Sequence, residues 1–76
     1  PNPAGNFARI QFESENSGAA LVEVFDLFGS RVHMQRNSVG TGAQSIQFAT
    51  DQWPAGTYVV RVTNGRQNGA AKLIKL

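Results

Sequence analysis

The amino-acid sequence predicts an all-β fold, two antiparallel sheets packed face to face as a sandwich. Three observations carry that reading. Apolar and polar residues alternate with a period of two, Gly, Asn and Pro interrupt the alternation at intervals of roughly eight to twelve residues, and no segment shows helical periodicity. Short strands separated by such turns pair with their neighbours and bury one face each. A Greek-key sandwich follows, with a small closed barrel as the architectural alternative.

Phe7 to Glu13 places Ala8, Ile10 and Phe12 on one face and Arg9, Gln11 and Glu13 on the other. Ser14 to Gly18 is polar and turn-rich. Ala20 to Leu27 is apolar on both faces, with Ala20, Val22 and Val24 opposed to Leu21, Glu23 and Phe25, which marks a central strand or one covered by a parent protein. Asp26-Leu27-Phe28-Gly29 reads as a type I turn, because an Asp carboxylate caps nearby amides at the first position and Gly suits the fourth. Ser30 to Gln35 returns as the second arm of a hairpin, with Val32 and Met34 expected inward and Arg31, His33 and Gln35 outward. Asn37 to Ala43 reads as a loop, and Ser45 to Ala49 as a strand with Ile46 and Phe48 on one face.

Asp51 to Gly56 is a crossing loop in which Pro54 blocks ladder pairing and Gly56 permits a backbone that a side chain would forbid. Thr57 to Thr63 is the clearest strand. Asn64-Gly65 is the strongest short-range signal for a two-residue hairpin turn, and Ala70 to Leu76 is the last strand. The count is six strands, with room for a seventh, in the immunoglobulin or fibronectin style of sandwich.

Composition narrows the function. Seventy-six residues make one domain that buries about 60% of the surface its unfolded chain exposes. With 41% apolar and 16% charged residues the chain is not of disordered type. No apolar stretch approaches the roughly 20 residues of a membrane helix. Cysteine is absent, which excludes disulfide frameworks and Cys-rich metal sites. The net charge of +2 names no partner. The chain lacks an initiator Met and is expected to be an excised piece, residues 1–76, of a longer protein.

Catalysis has little to stand on. His33 is the sole histidine and is expected on the solvated face, without a second His or Cys to build a metal site. Glu13 and Glu15 share a face beside a polar loop, in a domain too small for a deep cleft. Neither a Ser-His-Asp order nor a phosphate-cradling glycine loop is present. No cofactor is expected. The arginines are scattered rather than clustered with aromatics, so nucleic acid is not an expected partner. Trp53, Phe25 and Phe28 leave open a small carbohydrate-binding or spacer module.

Particular residues resemble a known family. Pro1-Asn2-Pro3 opens the chain. The strand and turn from Val22 through Asp26 and Gly29 to Val32, the strand Pro54-Ala55-Gly56-Thr57-Tyr58 continuing to Val62, and the ending Lys72-Leu73-Ile74-Lys75-Leu76 follow in order. Together they resemble the C-terminal sorting domains of proteins exported by the type IX secretion system of Bacteroidetes. The resemblance implies a non-catalytic label that guides an upstream cargo domain of the same chain from the periplasm across the outer membrane. Its implied partners are translocon and sortase components, and the cargo ends at the cell surface or outside the cell. Trp53 stands where the family more usually has an aliphatic residue, and is expected to plug one end of the sandwich. The candidate signal residues are Pro1, Asn2, Pro3, Asp26, Gly29, Gly56, Tyr58, Lys72 and Lys75. Each also has a structural reading. The prolines hold an extended approach to the first strand, Gly56 relieves strain after Pro54, and Tyr58 buries its ring with its hydroxyl on a backbone partner. Lys72 and Lys75, on opposite faces of an edge strand, deter sheet-to-sheet pairing. The edge strands also raise dimerisation of the fragment.

Overall fold

The computed structural model describes residues 5–76, and the opening Pro1-Asn2-Pro3 lies outside them. Six strands follow one another: β1 (Phe7–Ser14), β2 (Gly18–Asp26), β3 (Arg31–Val39), β4 (Gly42–Ala49), β5 (Gly56–Asn64) and β6 (Gln67–Lys75). All pairing is antiparallel. A four-stranded sheet runs β3-β2-β5-β6, and a two-stranded sheet of β1 and β4 lies across it. The sandwich is therefore as expected, built from six strands. No helix among the described residues is long and apolar enough to cross a membrane.

The core forms where the inward faces meet. Ala8, Ile46 and Phe48 come from the small sheet, and Ala20, Val22, Val24, Val39, Tyr58, Val60 and Leu73 from the large one. Ile10, Phe12, Trp53 and Val62 pack around them half-buried. β2 is central, which explains its apolar character on both faces.

Three sequence expectations are corrected. The stretch from Asn37 to Ala43 is not a loop: β3 continues to Val39 and β4 begins at Gly42, so Gly40 and Thr41 alone connect them. The phase of β3 is also the reverse of the expectation. Its register sets His33 opposite Val24, Gln35 opposite Val22 and Asn37 opposite Ala20, all core-facing residues of β2, with a bulge at the turn end. Val32 and Met34 consequently face solvent. The inward polar side chains satisfy one another along the strand: His33 Nε2 lies 2.7 Å from Gln35 Oε1, and Gln35 Nε2 donates to Asn37 Oδ1 at 2.8 Å. The last hairpin turns one residue later than Asn64-Gly65. Asn64 pairs with Gln67, leaving Gly65-Arg66 as the loop. Gly65 has φ +64 and among the described residues no non-glycine has a positive φ, which is the pattern of a type II′ turn.

Freed from the turn, Asn64 is buried and ties the sheets together. Its Nδ2 donates to Ser14 Oγ at 2.8 Å and to the Asn16 carbonyl at 2.7 Å, while Ser14 Oγ donates to the same carbonyl at 2.6 Å. At the opposite end, buried Thr50 donates through Oγ1 to the Gly5 carbonyl at 2.6 Å and through its amide to the Asn6 carbonyl at 2.8 Å. Leaving a buried polar partner unmatched costs about 1–3 kcal/mol. Asn64→Ala should therefore lower stability by about 2 kcal/mol, read as a fall in the urea midpoint. Asn64→Asp, which keeps the shape but sets a carboxylate oxygen against the Asn16 carbonyl, should cost at least as much. Wild-type midpoints for both would show that this clasp contributes no stability.

Candidate recognition surface

Of the candidate signal residues, those among the described residues lie toward one end of the larger sheet. Asp26 ends β2 and faces Tyr58 of β5, Tyr58 faces Leu73 of β6, and Gly56 faces Lys75. The register of β2, β5 and β6 thus aligns three sequence motifs that lie far apart along the chain.

The Asp26 turn follows from its residues. Asp26 Oδ1 accepts from the amides of Phe28 and Ser30, each at 2.9 Å. The Gly29 amide donates to the Asp26 carbonyl at 3.1 Å, and the Asp26 amide to the Ser30 carbonyl at 2.9 Å. Gly29 has φ +86, a value that costs an L-residue about 1–2 kcal/mol. The result is a type I turn extended by one left-handed residue, a three-residue hairpin loop. Asp26 and Gly29 determine this geometry alone. Leu27 and Phe28 are held up to solvent, 70% and 95% exposed. The sequence signal for that exposure was available, since the middle positions of such a turn usually carry polar residues.

Around the corner of β5, Trp53 is the hub of an aromatic cluster. Its ring centroid lies 5.8 Å from Phe48, 5.9 Å from His33 and 5.1 Å from Tyr58, and His33 stacks on Phe48 at 5.1 Å. Trp53 packs against one end of the core. His33 is half-buried in this stack rather than solvated, because the reversed phase of β3 turns it inward. The Tyr58 ring is buried and its hydroxyl donates to the Pro54 carbonyl at 2.6 Å, the corner that the sequence implied.

Lys72 and Lys75 lie on opposite faces of β6, as their spacing requires. Lys72 is exposed, and Lys75 is half-buried with Nζ donating to the Leu76 carbonyl at 3.1 Å. Glu13 and Glu15 are exposed. Phe25 lies on the outer face of the larger sheet with the Arg61 guanidinium 5.9 Å from its ring centroid. Gln67, which the sequence did not single out, bridges the sheets: its Nε2 donates to the Glu13 carbonyl, and its Oε1 accepts from the Glu15 amide at 2.9 Å.

The geometry defines a small β-sandwich whose distinctive residues form turns, a corner and an edge rather than a reactive cleft. Among the described residues no group of His, Cys, Asp or Glu is placed to hold a metal. The family model described as "Secretion system C-terminal sorting domain" matches residues 1–76, and the chain belongs to that family. It is a type IX secretion C-terminal sorting domain, a signal that is not itself catalytic, that engages the secretion machinery on behalf of an attached cargo, and that leads to the cell surface or beyond. No curated protein and no solved structure matches the chain significantly.

Tyr58→Phe should cost about 1 kcal/mol by removing one buried hydrogen bond. Gly29→Ala should cost about 1–2 kcal/mol through its left-handed backbone. Phe28→Ser should leave stability within about 0.5 kcal/mol. Thermal denaturation of the three variants checks the ranking, and a Phe28→Ser variant as damaged as Gly29→Ala would show that Phe28 supports the fold.

Proposed function

We propose that residues 1–76 are one folded unit at the end of a longer exported protein, and that this unit guides its upstream cargo from the periplasm through the type IX translocon. A sortase then removes the domain, and the cargo is anchored to the cell surface or released. The residues that the machinery reads are Lys72 and Lys75 on β6, the Asp26–Gly29 turn, the Gly56-Tyr58 corner, and Pro1-Asn2-Pro3 at the join to the cargo. The observation that supports this reading is the alignment of Asp26, Tyr58, Gly56 and Lys75 across neighbouring strands of one sheet. A signal read as a folded surface requires such clustering. Exposed edge strands also permit association of two isolated domains.

A transplant tests the proposal. Residues 1–76 are fused behind a linker to a fluorescent protein carrying a periplasmic signal peptide, in Bacteroidetes hosts with and without a working translocon. Translocon-dependent fluorescence at the surface or in the medium is the expected result. Retention in the periplasm of both hosts, with the domain folded, would favour a sugar-binding or spacer module. Within the same assay, Lys72→Ala with Lys75→Ala should reduce export while each change alters stability by no more than about 0.5 kcal/mol. Deleting residues 72–76 should abolish export. Unchanged export of the double variant would remove the lysines from the recognition surface.

A further inference from the structure

The two-stranded sheet is too narrow to cover the larger one, and an apolar seam remains between the outer edge of β1 and β6. Its walls include Ile10, Phe12, Val60, Val62, Ala70 and Ala71, and it continues past Arg9, Gln11 and Lys72. Among the described residues no strand lies along that edge of β1.

The hydrogen bonds at each end of β1 fix which backbone groups face the seam. The Asn6 carbonyl accepts from Thr50, on the β4 side. The Glu13 carbonyl and Glu15 amide instead face the Gln67 carboxamide, on the β6 side. In a strand the N–H and C=O of one residue point to the same edge, and successive residues alternate. The N–H and C=O groups of Arg9 and Gln11 therefore line the seam. Gln67 closes the far end of that edge as a strand would, presenting one amide donor and one amide acceptor to residues two apart. Next to it the same backbone pattern continues at Gln11 and Arg9, over an apolar floor and beside the basic side chain of Arg9.

We propose that this seam binds an extended polypeptide segment from another protein, which adds to β1 as a third strand of the smaller sheet. Its backbone continues the amide pairing that Gln67 begins, small apolar side chains at alternate positions enter between Ile10 and Ala71, and an acidic side chain lies toward Arg9. Strand addition of this kind draws affinity from main-chain bonds and specificity from alternate side chains. A second copy of the domain suits the seam poorly, since pairing through β1 meets the edge at Glu13 that Gln67 already covers.

The 76-residue chain, isotopically labelled, is titrated with two acetylated and amidated octapeptides of alternating Thr and Val, one with Asp near its N-terminus and the other with Asp near its C-terminus. The Arg9 and Gln11 amides should shift and exchange more slowly with one of the two. Gln11→Pro, which removes a donor from the open edge without breaking a bond to β4, should weaken binding about tenfold, the worth of one hydrogen bond. Gln11→Ala should not, and Arg9→Glu should favour the peptide with Lys in place of Asp. Absence of any shift up to the solubility of the peptides would overturn the proposal, as would shifts confined to β4 or to Phe28. Protection of Arg9 and Gln11 that rises with protein concentration alone would assign the seam to a second copy and overturn it equally. The readout uses purified protein, so it is independent of the transplant.

Discussion

The fold depends on fastening two strands across four. A two-stranded antiparallel ribbon is marginal by itself in water, and β1 and β4 persist because the larger sheet offers them an apolar floor and because polar clasps hold them at both ends. Asn64 fastens one end of β1 to the larger sheet through Ser14 and Asn16, while at the other end Thr50 ties the exit of β4 to the entry of β1 through Gly5 and Asn6. Among the described residues no buried side-chain nitrogen or oxygen lacks a partner. In a chain without cysteine, such satisfied polar contacts act where small secreted domains more often use disulfides.

The same economy governs the recognition end. Asp26 and Gly29 shape the turn, Tyr58 locks the β5 corner through Pro54, and the backbone of β6 completes the sheet. These residues make the domain, and in the proposed reading they are also the ones the machinery meets, so losing one would alter fold and address together. Leu27 and Phe28 differ. They are exposed, the turn does not require them, and they are open to change without disturbing what lies beneath.

Strand periodicity made most of the architecture legible. β1, β2 and β5 alternate as their burial does, and the Asp26 turn and Tyr58 corner follow from residue chemistry. Where the alternation misled, polar residues had taken core-facing positions. His33, Gln35 and Asn37 look solvent-directed in sequence, but the register with β2 turns them inward, where they bond to one another and His33 stacks on Phe48. Asn64-Gly65 misled because Asn in such a pair usually serves the turn, whereas this one serves a long-range clasp. The role of Gln67 depends on β1 and β6 meeting at that corner, which local pattern does not encode. The convergence of Asp26, Tyr58 and Lys75 likewise needed the strand order, although their sequence motifs were visible.

The pairing of β1 with β4 has a mechanical consequence. Gly5 and Lys75 lie at the same end of the sandwich, linked through Thr50, Trp53, Tyr58 and Gly56. Tension applied through the chain ahead of β1 therefore loads the bonds of Thr50 to Gly5 and Asn6 first and the Phe7–Ala49 pair next, and the ladder opens one pair at a time, as a zipper does, rather than resisting along its whole length in shear.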